Sequence, residues 1–562
     1  MHLGKLHQEW PAREGALEPA GIRGYCADGT RMDDAVTDGL YLGLDASTQS
    51  LTIVVVESAG ARRAVVLVRS LPYDREFRHY GTEHGVLPRT DPLVATSSPL
   101  LWADALERGV AIVAREPGLD AGRRLRAVSG AAQQHGSVYL NARATAGLGR
   151  LAAGLPLARQ VERFLSRADA PIWMDASTGD ECRAITDALG GADAVAALTG
   201  SRAIERFTGP QIRKYAARDP AGYAATDRIH LVSSFLASLL IGGHAPLEPG
   251  DAAGMNLMDL RAGRWAPRAL AVTAPDLLHR LPAIVPSPSV IGTLAPYWRE
   301  RYRLPAAAVV AWTGDNPSSL VGTGLVNSER CAISLGTSDT VFRLLDAPCT
   351  PAAGSHVFGA PTGGYLALTC FQNGGLARER VRDAHGLDWD GFARALRGTP
   401  PGNGGRMMLP WFEPEITPAV FATGARRFGL APEDAAGNVR AVIEAQMLAM
   451  ARHAAWMGDR VAAIHATGGG AATDEILQVM ADVHAADVFR VEAGNAAALG
   501  GALRALHGAA LAAGAPMDWP DVVAGIAAPA APVARPDPGR VAIYRALRPV
   551  HAAREAEALS GR

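Results

Sequence analysis

The chain has 562 residues, of which 48% are hydrophobic and 20% charged, which suffices for two or three domains with complete cores. Its formal net charge of −1 provides no overall basic field, so neither nucleic acid nor an anionic membrane is an expected partner. No apolar run approaches the roughly 20 residues of a membrane span, and the N-terminus lacks the apolar core of a secretory signal.

The five cysteines are scattered along the chain, odd in number and without a CxxC pair. This usage favours buried or free thiols in a reducing compartment, so we expect a cytoplasmic protein. No second histidine or cysteine stands at metal-ligand spacing from His135, and zinc is therefore not expected.

The predicted elements divide the chain into two lobes. Residues 1–39 show no periodicity and predict a flexible extension. A first lobe is expected over 40–285, a second over 286–535, and a linker with a terminal helix over 536–562, with prolines punctuating the connector 281–289. Each lobe starts with a hairpin and continues with strands and helices. The pattern predicts an α/β architecture of two related lobes with a cleft between them.

The first hairpin is predicted where the apolar run 41–44 enters a polar turn and the β-branched run 51–56 leaves it. Asp45 stands at the end of the first strand, where a carboxylate could hold a metal ion, usually through water. The turn adds hydrogen-bonding groups from Ser47, Thr48 and Gln49. Taken alone, the motif is equally compatible with an ordinary Asx turn.

Further along the first lobe, helices are predicted over 100–115 and 179–189, and a strand over 125–129. Beyond this strand, Gln133, Gln134 and His135 gather donors and acceptors that suit a polyhydroxylated ligand. Two other segments place polar groups beside aromatic rings, as sugar sites often do, although both could be loop anchors; they are Trp173–Thr178 and Glu205–Gly209.

Asp315 is the strongest catalytic candidate, because Asp315-Asn316-Pro317 stands at the carboxyl end of the predicted strand 308–312. In α/β sheets the carboxyl ends of strands face the ligand crevice. Asp315 could accept the proton of a substrate hydroxyl that attacks a γ-phosphate. A turn formed by these residues is the competing interpretation.

The second hairpin is predicted from 331–335 and 340–342, with a turn that contains Gly336, Thr337 and Ser338. Glycine allows phosphate to approach the backbone, and the hydroxyls can donate to it. The neighbouring Asp339 would repel phosphate unless a metal intervenes.

Two glycine-rich segments follow in the second lobe. Gly468–Gly470 lies between a predicted strand, 461–466, and a helix, 474–485, where a nucleotide could rest on bare backbone. Residues 494–501 begin a helix of small residues that predicts close packing against a sheet. Other predicted helices cover 439–458 and 540–559.

Two polar hairpins, one in each half, can hold a triphosphate from opposite sides, which points to ATP. The chain has neither a G-x-x-x-x-G-K-[ST] loop nor a full G-x-G-x-x-G pattern, so P-loop and dinucleotide-binding enzymes are disfavoured.

The motifs resemble, in order and over nearly the whole chain from residue 41, the xylulokinase group of the FGGY carbohydrate kinase family, in particular its eukaryote-type branch. The strings that carry the resemblance are residues 129–139, 173–178, 198–209, 313–317, 334–340 and 475–483. The resemblance implies two actin-like (ribonuclease H-like) ATPase lobes around a catalytic cleft. It also implies transfer of phosphate from ATP, with Mg²⁺, to O5 of D-xylulose.

The resemblance also implies roles for individual residues. Asp315 falls in the position of the general base, and the ketose contacts would comprise His135, Arg206, Asp315 and Asn316, to which the polar cluster after the strand adds Gln134. The nucleotide contacts would comprise Trp389, Gly469, Gly470 and Thr473, to which the two hairpins add Asp45, Ser47, Thr48, Gln49, Gly336, Thr337 and Ser338. Asp45 would hold Mg²⁺ through water. Relatives often carry Asn at the position of Thr473.

Two alternatives stay open at this point. One is a kinase for another ketose or polyol, such as ribulose, arabinitol or erythritol, because the polar groups indicate a sugar but not its stereochemistry. The other is a non-catalytic sugar-binding regulator, against which the presence of Asp315 and both hairpins argues. Besides sugar and ATP, we expect no partner other than a second copy, so the chain would be a monomer or a homodimer.

Overall fold

The computed structural model describes residues 37–458, 460–492, 494–527 and 531–560. The predicted N-terminal extension therefore lies outside the described residues, except for its last three positions. Within the described ranges, no helix combines the length and the apolar character that a membrane crossing requires.

The first lobe is built on a seven-stranded sheet with Gly39–Ala46 near its centre. The first three strands along the chain are antiparallel, whereas Leu125–Ala132 runs parallel to Gly39–Ala46 on its other side. In spatial order the strands are Val290–Thr293, Ala308–Val310, Leu125–Ala132, Gly39–Ala46, Ser50–Ala59 and Arg62–Pro72, and Thr313–Gly314 also pairs with Leu125–Ala132.

The second lobe repeats this topology on a six-stranded sheet. A hairpin, a further antiparallel strand and two parallel strands on the opposite side are common to both sheets. In spatial order the strands are Ser355–Gly359, Tyr365–Phe371, Asp339–Leu345, Arg330–Leu335, Ala463–Thr467 and Asp487–Arg490. Two related α/β lobes, as predicted, are thereby confirmed.

Helices cover the sheets and fill the connections. In the first half they are Tyr73–Glu76, Pro99–Arg115, Ala121–Arg124, Arg143–Gly147, Leu157–Val161, Gly179–Leu189, Ala192–Thr199, Thr208–Arg218, Pro220–Ala225, Val232–Ile241, Pro249–Ala253, Pro267–Thr273, Leu277–Arg280, Pro296–Tyr302 and Asp315–Gly322. In the second half they are Gly375–Ala384, Trp389–Gly398, Ala435–His453, Asp474–His484, Ala496–Ala512, Trp519–Val523 and Pro538–Ser560.

Short elements complete the fold. Two-stranded pairs are Thr96–Ser97 with Ala170–Pro171, Ser137–Leu140 with Arg228–Leu231, Met258–Asp259 with Arg264–Trp265, and Met407–Leu409 with Arg426–Phe428. Single 3₁₀ turns are Arg78–Tyr80, Leu148–Arg150, Glu162–Phe164, Asn403–Gly405, Ala455–Met457 and Gly469–Ala472.

The helix Ala496–Ala512, here called the linking helix, comes from the second half of the chain but packs on the first sheet. Its small residues permit backbone contact: a Cβ on Gly43 would stand 1.9 Å from the Ala498 carbonyl oxygen, and one on Gly501 3.1 Å from Cα of Gly130. The close helix packing that the sequence predicts is therefore confirmed.

The lobes meet at a different position from the one expected. The sequence predicts a second lobe from residue 286, yet Val290–Thr293, Ala308–Val310 and Thr313–Gly314 all belong to the first sheet. The chain passes to the second sheet only after the helix Asp315–Gly322, here called the base helix. The predicted boundary is wrong because the prolines of residues 281–289 lie in a surface segment of the first lobe and do not separate two lobes.

Candidate active site

Strand register brings three predicted site segments to one edge of the first sheet. Ala46 pairs with Ala132, and Ala132 pairs in turn with Gly314, so the chain leaves all three strands at the same level. The strand that carries Asp45 and the one that leads to Asp315 are separated by one strand, which corresponds to about 10 Å between their backbones.

Asp315 is the first residue of the base helix and is partly buried. Its Oδ1 accepts a hydrogen bond from the backbone N–H of Asn316 at 2.8 Å, and the Asn316 Nδ2 donates to Gln134 Oε1 at 3.0 Å. Burial raises the pKa of Asp315 to about 6, against the lowering effect of the backbone N–H groups of Asn316 and Gln134. A carboxylate with this pKa is a competent base near neutral pH.

His135 is held in one orientation at the end of the neighbouring strand. Its Nδ1 lies 2.8 Å from the Gly254 carbonyl oxygen, and its ring stacks on Phe207 with centroids 4.3 Å apart. Burial, followed by the charge of Arg206, holds the pKa of His135 well below its usual range. Because a carbonyl only accepts, Nδ1 carries the proton and Nε2 of the neutral ring is left as an acceptor, which suits a hydroxyl ligand.

Arg206 lies between the lobes. Its guanidinium is 5.9 Å from the centroid of the Phe207 ring. The pKa of His356 is lowered mainly by burial and further by the charge of Arg206. Burial raises the pKa of Cys370, on the second sheet, and the charge of Arg206 opposes this rise. The charge of Arg206 therefore acts on groups of both lobes.

Asp45 ends the first strand with one carboxylate oxygen unused. Its Oδ2 accepts from Ser47 Oγ at 2.5 Å, while the buried Oδ1 has no hydrogen-bond partner among the described residues. Burial, followed by the charge of Asp315, raises the pKa of Asp45 to about 7. No three His, Cys, Asp or Glu side chains of the described ranges converge on a metal position. The free Oδ1 fits a divalent cation that is otherwise held by water and phosphate oxygens.

The other two residues of the first turn are already engaged. The Thr48 Oγ1 accepts from Trp173 Nε1 at 2.8 Å, and the Gln49 carbonyl accepts from Tyr73 N at 2.8 Å. Trp173 thus braces the turn, whereas the neighbouring Asp175 anchors loops by accepting from Ala95 N at 3.1 Å and from other groups.

In the second lobe, register again gathers the predicted segments. Ser334 pairs with Thr467, so the turn Gly336–Ser338 and the segment Gly468–Gly470 leave the sheet at the same edge. Gly468 has φ +87°, and a Cβ there would stand 2.6 Å from the Leu335 carbonyl oxygen. A Cβ on Gly469 would meet nothing within 4 Å, so this backbone is open to a ligand.

Asp339, whose charge would repel a neighbouring phosphate, is paired with an arginine. It is fully buried and forms a two-pronged ion pair with Arg378, at 2.8 and 3.0 Å. Arg378 also donates to the Gly336 carbonyl at 3.2 Å, so the pair braces the turn Gly336–Ser338. Burial raises the pKa of Asp339, and the Arg378 charge opposes that rise.

The two remaining predicted nucleotide contacts are more peripheral. Trp389 begins its helix, is 43% exposed and lies under the Arg382 guanidinium at 4.5 Å. Thr473 precedes the helix Asp474–His484, and its hydroxyl caps no backbone N–H. Gly469, Gly470 and Thr473 lie close to one another in the chain. Trp389 is the first residue of the helix Trp389–Gly398, and the other end of this helix contacts Glu475 through Arg397.

Sequence reasoning did not identify three residues that support the site. They are Arg378, Glu248 and Arg504. Glu248 is fully buried and accepts from Ser287 Oγ at 2.6 Å and from Thr313 Oγ1, next to Gly314. Arg504, on the linking helix, donates to the carbonyls of Gly130 and Ala311 at the ends of two strands. None of the three lies in a recognisable motif, so only the fold reveals them.

Comparison with known proteins identifies the family. The model of the FGGY family of carbohydrate kinases matches residues 162–322 with its N-terminal domain and 331–509 with its C-terminal domain. The chain belongs to the FGGY family of carbohydrate kinases. It is therefore an enzyme of phosphoryl transfer to a carbohydrate, with ATP and a divalent metal ion.

Individual relatives are similar over most of their length. Xylulose kinase of Mus musculus is 41% identical over 531 residues, covering 92% of this chain and 94% of that protein. Xylulose kinase 2 of Arabidopsis thaliana is 37% identical over 495 residues, with 84% and 87% covered.

Solved structures of other kinases share the fold. A xylulose kinase from Rhodospirillum rubrum gives a TM-score of 0.76 at 21% identity, with 92% of this chain and 98% of that chain covered. Plasmodium falciparum glycerol kinase with ADP gives 0.71 at 14% identity, with 92% and 98% covered. Since kinases of different substrates share it, the fold does not select the sugar.

Proposed function

We propose that this FGGY kinase phosphorylates D-xylulose at O5 with ATP and Mg²⁺, yielding D-xylulose 5-phosphate and ADP. The observation that carries the proposal is the 41% identity to mouse xylulose kinase across 92% of the chain. The site geometry supports the reaction type, because Asp315 stands at the end of a strand, beside Asn316, which is bonded to Gln134.

In this proposal Asp315 is the general base. It accepts the proton of O5–H while that oxygen attacks the γ-phosphorus, and the bond between γ-phosphorus and the bridging oxygen of ADP breaks. Asn316 donates to Asp315 Oδ1 through both its backbone and its side chain, at 2.8 and 3.2 Å, which keeps the carboxylate in place. Gln134, His135 and Arg206 bind the other oxygens of the ketose.

The nucleotide lies between the two turns. Backbone N–H groups and hydroxyls of Gly336, Thr337 and Ser338 bind phosphate oxygens, with Ser47, Thr48 and Gln49 contributing from the first lobe. Gly469, Gly470 and Thr473 border the adenosine, and the exposed ring of Trp389 offers it an apolar contact. Asp45 Oδ1 would hold Mg²⁺, through water, and bound Mg²⁺ would neutralise phosphate charge.

The first experiment is ADP release with Mg-ATP across D-xylulose, ribulose, arabinitol and erythritol. We expect the highest kcat/KM with D-xylulose. A preference for another sugar would overturn the substrate but not the reaction. Absence of sugar-dependent ADP release from folded, ATP-binding protein would support the non-catalytic alternative.

The same assay tests the base. Asp315→Ala should lower kcat by at least about 100-fold, as expected for loss of a general base, while sugar and ATP still bind in calorimetry. Asp180→Ala, at an exposed carboxylate, is the matched control and should keep full activity. Normal turnover by Asp315→Ala would exclude the assignment.

A further inference from the structure

Glu248 is a fully buried carboxyl group that joins distant segments of the first lobe. Its Oε1 accepts hydrogen bonds from the Thr313 hydroxyl and, at 2.8 Å, from the Asp251 backbone N–H. Its Oε2 accepts from the Ser287 hydroxyl at 2.6 Å. These partners lie 3, 39 and 65 positions along the chain, and all of them donate, which matches an ionised carboxylate.

The bond from Thr313 holds the segment that carries the proposed base. Thr313 is fully buried, pairs with Ala131 in the first sheet and stands two positions before Asp315. The contact is closely packed, because a Cβ on Gly250 would stand 2.7 Å from Glu248 Oε1 and 3.2 Å from Thr313 Oγ1. The Thr313 hydroxyl therefore fixes the backbone from which the base helix begins.

The bond from Asp251 leads to His135 along a short helix. Glu248 caps the helix Pro249–Ala253 by accepting from the Asp251 N–H. The Asp251 carbonyl accepts from the Gly254 N–H at 3.1 Å, and the Gly254 carbonyl accepts from His135 Nδ1 at 2.8 Å. A continuous series of hydrogen bonds thus connects the Glu248 carboxyl group with the His135 ring.

A second buried carboxyl group of the first lobe offers a comparison. Glu107, 8% exposed, accepts from the Leu157 N–H at 2.7 Å and from the hydroxyls of Tyr297 and Tyr302 at 2.8 and 2.9 Å. It is bonded as well as Glu248, but these partners lie outside the predicted site segments. Glu107 therefore serves the fold, whereas Glu248 holds two segments of the site at once.

We propose that Glu248 is a positioning residue for phosphoryl transfer. It fixes the base segment through Thr313 and the orientation of His135 through the helix Pro249–Ala253, and so sets the base against the sugar. The roles of Asp315 and His135 rest on the proposed function, whereas the hydrogen-bonded connection between them does not. Displacement of a reacting group by about 1 Å can lower a rate by about 100-fold.

The first test compares Glu248→Met with Glu248→Gln on the best sugar of the panel. Methionine removes every acceptor, so kcat should fall by about 10- to 100-fold and the sugar KM should rise several-fold, with KM for ATP unchanged. Glutamine keeps an acceptor for Thr313 and Asp251, and its amide can donate to Ser287, so both constants should return to within about threefold of the wild type. The charge of Glu248 opposes the burial that lowers the pKa of Arg504, so Glu248→Gln should still lower the Tm. Kinetic loss that glutamine does not rescue would overturn the proposal.

Thr313→Val removes only the connection to the base and decides the question if Glu248→Met does not fold. Its kcat should fall by about tenfold, with the sugar KM within about twofold of the wild type. Ser287→Ala removes the bond to the other carboxyl oxygen, and Glu107→Met removes the comparison carboxyl group. Both controls should lower the Tm and leave kcat and both KM values unchanged. Equal kinetic losses in Thr313→Val and Ser287→Ala, or in Glu248→Met and Glu107→Met, would show a purely structural role and overturn the proposal.

The connection to His135 can be observed without substrate. In protein labelled with ¹⁵N-histidine, the proton resonance on Nδ1 of His135 is identified by its loss in His135→Ala. It should persist in Thr313→Val and Glu248→Gln and be shifted or lost in Glu248→Met. An unchanged resonance in Glu248→Met would overturn the proposal. Normal turnover by Asp315→Ala would contradict only the proposed function, since this resonance requires neither sugar nor base.

Discussion

At the scale of single residues, the two carboxylates of the first-lobe edge differ in their surroundings. Asp315 receives backbone N–H groups that favour its charged form, whereas Asp45 has one short hydrogen bond and an unused oxygen. Burial raises the pKa of both, to about 7 for Asp45 and to about 6 for Asp315. The oriented carboxylate of Asp315 suits the proposed base, and the unused oxygen of Asp45 suits the proposed cation contact.

The pKa of Asp315 predicts the pH dependence of the reaction. Its pKa of about 6 lies above the ordinary 3.8, so the carboxyl becomes protonated, and inactive as a base, as the pH falls through about 6. We expect kcat/KM for the sugar at saturating ATP to decline below that pH and approach a tenfold loss per unit. The profile should be recorded at two Mg²⁺ concentrations. A decline whose midpoint moves with Mg²⁺ would implicate Asp45 and contradict the prediction.

His135 provides a second residue-scale prediction. Its Nε2 is an acceptor fixed by the bond from Nδ1 to Gly254, so His135→Ala should raise the sugar KM by about tenfold, with little change in KM for ATP. Steady-state kinetics with each substrate varied separately measures this split. An unchanged sugar KM would indicate that the ring only packs against Phe207.

At the scale of elements, the contact of the linking helix with the first sheet depends on the absence of side chains. Gly43→Ala would place a methyl group 1.9 Å from the Ala498 carbonyl oxygen, so helix and sheet must move apart. We expect destabilisation of more than about 3 kcal/mol. Denaturant unfolding measures it, with Gly154→Ala, where a Cβ meets nothing within 4 Å, as the control. Equal stability of the two variants would refute the prediction.

The elements also show where sequence reasoning succeeds. Both hairpins, the helix Gly179–Leu189 and the segment before Asp315 have strong local signals, namely alternating apolar runs and polar turns, and the structure contains them. The roles of Arg378 and Arg504 depend on contacts with residues distant in sequence, Asp339 and Ala311, and no local pattern encodes these. The arginine partner of Asp339 could not be predicted for the same reason, since it lies 39 positions away.

At the scale of the whole molecule, the two lobes are joined by the base helix and the linking helix. The Val357 N–H of the second sheet also donates to the Gly200 carbonyl at 2.7 Å, at one side of the cleft. We expect the lobes to close around both substrates, which would exclude water and align the attacking hydroxyl.

Closure can be measured in solution. With D-xylulose and a non-hydrolysable ATP analogue together, we expect a smaller radius of gyration by X-ray scattering than with either ligand alone. The enzyme should also hydrolyse ATP much more slowly without sugar than it transfers phosphate with sugar. Identical scattering in all states would show that the lobes do not move, and rapid sugar-independent hydrolysis would contradict sequestration from water.

The linking helix has a consequence for biosynthesis. The face of the first sheet that carries Tyr41, Val54 and Val56 is covered by residues 496–512, which leave the ribosome more than 400 positions later. An apolar surface of the nascent first lobe therefore stays exposed until nearly the whole chain has been synthesised. The two lobes cannot mature one after the other as independent units, and a nascent chain stalled before the linking helix would be a natural client for chaperones.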